Sequence, residues 1–229
     1  MRLALILLAC LCPMTLLADT APPIISPEPT VDGSPPASPP APESLGLPAR
    51  TWQADPAHAS LTFSVSHLGF SRFSAGFDTF AATLVLDPAA PEEATLTVTV
   101  DVASIDLPTP PEGFYETMLG LDWFDAATYP DMVYTSSSIT RTGPDTARID
   151  GMLSARGTEV PVTLQARFNG GYPSSPFEPF ARIGFSATGT VSRSALGMGF
   201  GVPAPGTTFG VGDAVRISTE VEFIAEPVE

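Results

Sequence analysis

The chain of 229 residues contains no lysine, and its two cysteines, Cys10 and Cys12, both fall within the first 18 residues. Arginine is therefore the sole long basic side chain, with 10 arginines against 25 acidic residues and a formal net charge of −15. That balance offers no basic patch and repels the phosphates of nucleic acids and anionic headgroups. No nucleic-acid partner is expected. Beyond residue 18 the lack of cysteine excludes a disulfide, a thiol nucleophile and a thiolate metal site. Histidine is nearly as scarce: His58 and His67 are the two present. Nine residues apart on a straight strand, they point to opposite faces. A shared metal site is not expected, nor is any other cofactor. Long apolar runs are also missing. The one extended run, residues 3–18, is broken by Pro13 and Thr15 and is short of the roughly 20 residues of a membrane-spanning helix.

That run follows a single basic residue, Arg2, and ends on the small residue Ala18. A basic start, an apolar centre and a small terminal residue describe a secretory signal peptide over 1–18. A periplasmic or secreted protein follows as the expectation. An uncleaved anchor is one alternative. A lipid-modified Cys10 is another: Leu7-Leu8-Ala9-Cys10 resembles a lipoprotein signal box, although a leucine directly before the small residue fits it poorly. Either alternative would keep the protein near a membrane.

Residues 19–49 hold ten prolines among Ala, Ser, Glu and Gly. Proline fixes φ and removes backbone donors, so a disordered, extended and semi-rigid tether is expected here. The remaining stretch, 50–226, has the size of one large domain.

Within it the dominant period is two. Leu96, Val98, Val100 and Val102 alternate with Thr95, Thr97, Thr99 and Asp101. Val162, Leu164, Ala166 and Phe168 alternate with Thr163, Gln165 and Arg167. Val215, Ile217, Val221 and Phe223 alternate with Arg216, Ser218, Glu220 and Glu222. Such segments have one buried and one wet face. Further strands are expected at 59–66, 71–86, 132–140, 146–155 and 181–192, separated by turn signals such as Asp87-Pro88, Gly143-Pro144, Gly157 and Asn169-Gly170-Gly171. One short helix is expected over 112–121, with Phe114, Met118 and Leu121 on one stripe. The result is an all-β chain: an antiparallel eight-stranded barrel with one short helix, or a β-sandwich. Periodicity does not separate the two. A barrel removes exposed edges and its interior can hold one small ligand; a sandwich fills its interior with side chains.

A family likeness runs through the same residues. The stretch from Asp55 through His58, Phe63 and His67 to Gly69 resembles the opening motif of the YceI-like family. Ser104-Ile105-Asp106, the block Leu119 to Asp125 with Tyr129-Pro130 and Tyr134, the hairpin Gly151 to Val162, the turn Val191 to Gly197 and the strand entry Val211 to Val215 resemble its later landmarks in order. The likeness spans about 51–224. It implies a periplasmic, lipocalin-like barrel that binds a polyisoprenoid or other long-chain lipid, a long isoprenoid or fatty-acyl ligand with a quinone among the candidates. There are departures. Phe114-Tyr115-Glu116-Thr117 stands where the family usually carries Arg-Asp-x-His, Ala59 replaces a common serine, and Glu159 replaces a threonine. The headgroup preference of relatives does not carry over.

On this reading the apolar candidates for a ligand-lined tube are Phe63, Val65, Phe70, Phe77 and Phe80 in the first strands. Around the helix they are Phe114, Met118, Leu119, Trp123 and Phe124, and later in the chain Tyr134, Phe185, Met198 and Phe200. The polar candidates are His58, His67 and Arg193. Each has a plainer reading, with the histidines fixing loop backbone and Arg193 pairing with a carboxylate such as Asp55 or Asp213. The glycine-rich segment 197–206 lacks the Gly-Lys-Ser/Thr ending of a phosphate loop. It reads instead as a mobile loop over the barrel mouth, with Met198 and Phe200 as its plug. No hydrolase motif such as Gly-x-Ser-x-Gly is present, and no catalytic residue is assigned. The competing functions are a non-catalytic interaction module tethered near a membrane redox protein and, less favoured, a hydrolase. The sequence leaves the oligomeric state open.

Overall fold

A computed structural model describes residues 41–225 of the chain; the expected signal segment and the tether up to residue 40 lie outside the described residues. The strands are β1 (Arg50–His67), β2 (Ser71–Phe77), β3 (Phe80–Leu86), β4 (Thr95–Asp101), β5 (Ile105–Asp106), β6 (Asp131–Arg141), β7 (Thr146–Ala155), β8 (Thr158–Tyr172), β9 (Ala181–Ser192) and β10 (Ala214–Ala225). One α-helix, α1, covers Phe114–Leu119.

The pairing order runs β1, β3, β4, β6, β7, β8, β9, β10, and β10 pairs back onto β1. Every pairing in this ring is antiparallel, so the chain closes into an eight-stranded barrel and not a sandwich. Closure satisfies both edges of each wall strand. The expected strand 71–86 is one wall position split in two. β3 pairs with Arg50–Gln53 of β1, and β2 pairs with Leu61–His67 of the same strand. At the break, the backbone amides of Asp78 and Thr79 donate to the carbonyl and the hydroxyl of Ser104, at 2.9 and 3.0 Å.

Three boundaries differ from the sequence pattern. β1 starts at Arg50, not near residue 59, because its register slips between Ala54 and Ala59 and a bulge there erases the alternation. The helix is six residues, not ten. It begins after Gly113, whose φ is +74°, and the chain turns away at Gly120, so Leu121 leaves the apolar stripe and is 75% exposed. Finally, the packed region starts before residue 50: Pro42–Ser44 form a 3-10 turn and Leu47 is buried against the core.

Strand directions give the barrel two ends. The base carries Leu47, Trp52, Leu86, Phe168, Ile183 and Phe223, which form one buried cluster. Phe185 stacks between Phe168 and Phe223 with ring centres 5.4 and 6.1 Å away. Trp52 and Ile183 have no exposed surface. The opposite end holds the β1–β2 turn, residues 102–130 with α1, the β7–β8 turn and residues 193–213. Its core includes Phe77, Val102, Met118, Phe124, Leu196 and Met198.

Candidate ligand-binding cavity

The inward-pointing side chains of the wall are apolar, as the period of two requires, yet many are only half-buried. Leu61, Phe63, Leu96, Val98, Val215 and Ile217 all belong to this group. They point inward and keep accessible surface because the barrel is hollow. The cavity measures about 820 Å³, within the usual range for sites that enclose a small organic molecule.

The registers explain the hollow. Ala147 pairs with Ala166, Ala166 with Ala187, and Ala187 with Thr219. These four neighbours form a row of small side chains across β7, β8, β9 and β10, and all four line the cavity. Gly151 extends the effect. A Cβ there would lie 2.6 Å from the Tyr134 ring, so glycine lets the ring lie flat against the wall. The Tyr134 hydroxyl faces the backbone carbonyls of Ile149, at 3.2 Å, and Val162, at 3.4 Å. Burial, with the Asp150 carboxylate adding to it, pushes the phenol up to about 12, so it stays neutral.

The wall contains no aspartate or glutamate, although the chain has 25 acidic residues. Polar wall groups gather at one end. His67, Ser71 and Arg72 there are exposed, as are Pro108 and Pro111, and they mark the mouth. Arg72 donates to the Ser64 hydroxyl and carbonyl at 3.1 Å each.

Of the sequence candidates, Phe63, Val65, Phe77, Phe80, Phe114, Met118, Trp123, Phe124, Tyr134, Phe185 and Met198 line the cavity, with His67 and Arg193. Phe70, Leu119, Phe200 and His58 do not line it. Phe70 sits at the tip of the β1–β2 turn, 85% exposed. Leu119 packs against the core from the end of α1. Phe200 is 61% exposed and lies edge-on to Trp123, with ring centres 6.1 Å apart, whereas Met198 is buried and lines the cavity. His58 lies in the bulged part of β1, where its Nδ1 contacts Asp55 at 2.8 Å. The wall residues not singled out from sequence, Leu84, Ile149, Leu164 and Val221 among them, carry the same period-two signal as the strands that hold them.

Arg193 lines the cavity yet is only 3% exposed; its guanidinium is held by backbone carbonyls, with the Asp213 carboxylate nearby. Its guanidinium donates to the carbonyls of Gly212, Met198, Phe200 and Val211 at 2.9, 2.5, 2.9 and 2.7 Å. It also stacks on Trp123, 5.0 Å from the ring centre. Burial lowers its pKa, opposed by the nearby Asp213 carboxylate. Asp213 feels burial too, which raises its pKa, but hydrogen bonds from Ser192 and from the Ser194 amide outweigh this and hold it low. Two of these carbonyls, Met198 and Phe200, lie in the segment expected to be a mobile flap, so the buried guanidinium ties that segment at two points.

A second polar group lies outside the cavity wall. The side-chain oxygens and nitrogens of Asp55, His58 and Glu222 come within 4.8 Å of one another, a spacing that suits a metal ion. The Arg182 guanidinium occupies this position, 2.7 Å from Asp55 and 2.6 Å from Glu222, and supplies the positive charge itself. Hydrogen bonds from Arg182 and then from His58 pull the Asp55 carboxyl down to about 2.

A closed antiparallel barrel of eight strands around an apolar cavity is a lipocalin-like architecture. The chain belongs to the YceI-like domain family, whose model matches residues 52–223. A UPF0312 protein of Pseudomonas putida is 32% identical over 153 residues, covering 66% of this chain and 74% of the relative. Among solved structures, BcnA of Burkholderia cenocepacia aligns with a TM-score of 0.60 at 25% identity over 74% of this chain and 98% of that one. A YCEI protein of Campylobacter jejuni aligns at 0.57 and 25% identity over 72% and 90%. A polyisoprenoid-binding domain from Saccharophagus degradans aligns at 0.56 and 14% identity over 78% and 99%, a likeness of fold.

Proposed function

We propose that this protein is a non-catalytic carrier that holds a long isoprenoid or acyl molecule in the barrel, outside the cytoplasm. The observation that carries the proposal is the cavity itself: about 820 Å³, walled by aliphatic and aromatic side chains and without a single carboxylate. Each methylene moved from water into such a wall is worth about 0.8 kcal/mol. Ten of them supply about 8 kcal/mol before the costs of binding, the scale of micromolar affinity. A neutral headgroup, such as a quinone, suits a wall that offers no carboxylate. The polyisoprenoid named for the Saccharophagus relative supports the same class of ligand. A module that only docks to a redox partner would have no use for a hollow interior. A hydrolase would need its acid–base pair beside the cavity, whereas the Asp55–His58 pair lies off its wall. The apolar first 18 residues support export.

The test is native mass spectrometry and lipid extraction of protein purified from its own host. A co-purifying prenyl or acyl lipid is expected. Protein recovered empty, with no thermal shift on adding prenyl or fatty-acyl ligands, would overturn the proposal. Mass analysis of the mature N-terminus checks export and tells cleavage at Ala18 from a lipidated Cys10.

A further inference from the structure

We infer that the barrel mouth is a docking face for a neutral lipid bilayer, with the tips of three loops entering the headgroup layer. The inference rests on the carrier reading, because a cargo that is insoluble in water must be taken from and returned to a lipid phase through that mouth. The loops that surround it expose large apolar side chains: Phe70 at 85%, Leu121 at 75%, Phe200 at 61% and Phe209 at 82%. Folded monomers seldom leave such residues grouped without a use. Phenylalanine and leucine are side chains that interfacial segments bury at the boundary of headgroups and acyl chains.

The loops that bear them are fastened to one another. The Leu68 amide donates to the Gly210 carbonyl at 2.8 Å, and a Cβ on Gly69 would meet Thr208 at 2.8 Å, which places the Phe70 turn directly against the Phe209 segment. Arg156 donates to the carbonyls of Gly197 and Leu121, at 2.6 and 2.8 Å, and so joins the Leu121 turn to the same segment. Arg156 holds a left-handed conformation, φ +51°, in a two-residue hairpin turn where glycine or asparagine is the usual choice. Arg193 secures the far side of the segment. The apolar tips are therefore presented on a rigid frame, which spares most of the ordering cost of insertion.

Charge selects the kind of bilayer. Glu112, Glu116 and Asp122 are exposed on and around α1, beside Leu121 in the sequence. Of the arginines near this end, Arg72, Arg156 and Arg193 are spent on loop carbonyls or on Ser64, and Arg216 is exposed on the outer face of β10. With a net charge of −15 behind them, the loops suit zwitterionic headgroups and not anionic ones.

The experiment uses the full chain and vesicles of brominated phosphatidylcholine without cargo. Bromine quenches a nearby tryptophan, and the two tryptophans are well placed: Trp123 is at the mouth and Trp52 is sealed at the base. Quenching of the Trp123 emission is expected. The triple variant Phe70→Ser, Leu121→Ser, Phe209→Ser should need at least about tenfold more lipid for the same quenching. Phe177→Ser, which alters the 97% exposed ring at the base, should change nothing. Near-ultraviolet circular dichroism checks each fold, and Phe70→Ser or Phe209→Ser alone replaces the triple variant if it misfolds. Unquenched Trp123, equal quenching in the variants, or quenching with phosphatidylglycerol vesicles alone would overturn the inference. So would a dimer in sedimentation that the triple variant dissolves, since the face would then belong to a second copy. Cargo uptake measured separately tells the two readings apart: docking without cargo removes the carrier and leaves the face, while uptake without docking does the reverse.

Discussion

At the scale of single residues, two arginines carry most of the polar organisation. Arg193 satisfies four carbonyls, and it does so almost fully buried. Arg193→Ala leaves those carbonyls under the loop unpaired, each such loss costing about 1–3 kcal/mol. The variant is expected to be destabilised by about 3 kcal/mol or more in urea unfolding, with faster amide exchange confined to residues 197–213. Arg193→Lys recovers only part of this, since an ammonium cannot span the same fork. Arg182 produces a pH effect instead. The Asp55 carboxyl titrates near 2 when folded and near 3.8 when free. A depressed carboxylate pKa stabilises the fold above its ordinary value and loses that contribution as the pH falls through the folded one. Between about pH 4 and pH 2 the wild type is expected to lose about 1–2 kcal/mol more than Asp55→Asn. Paired acid titrations followed by circular dichroism read the difference.

At the scale of elements, the cavity follows from cross-strand register. Leucine or phenylalanine would fill the wall at the heights where Ala147, Ala166 and Ala187 meet, and the barrel would be solid there. Ala187→Phe is expected to shorten the longest chain the cavity accepts while leaving short acyl chains bound. The measurement is affinity against chain length, from C8 to C20 fatty acids; equal losses at every length would mean a distorted wall instead of a filled one. Overpacking is expected to cost about 1–3 kcal/mol of stability. The strands were legible in the sequence because each keeps a wet and a dry face. The start of β1 was not, because the bulge between Ala54 and Ala59 puts two like-facing residues out of step. The end of α1 was not either: Leu121 fits a helical stripe, but the chain leaves the helix at Gly120.

At the scale of the whole molecule, a ligand enclosed by the barrel must stabilise it. A prenyl or acyl compound at a hundred times its dissociation constant adds about 2.7 kcal/mol by mass action. Thermal unfolding with increasing ligand is expected to show that gain, and a melting temperature indifferent to ligand would argue against a single enclosed site. The alternating strands, the lack of cysteine beyond residue 18, the acid excess and the family landmarks were all readable along the chain, because each is a property of composition or of near neighbours. So was the apolar character of the candidate lining. What the chain could not disclose depends on residues far apart. Closure needs Gln53 opposite Ile224, and the choice between a hollow and a filled interior needs the heights at which small side chains meet. The fate of Arg193 needs carbonyls up to 19 positions away. Local periodicity fixes which way a side chain faces, whereas only the tertiary register decides what it faces, and that is why the size of the cavity and the fastening of the loops at its mouth came from the structure.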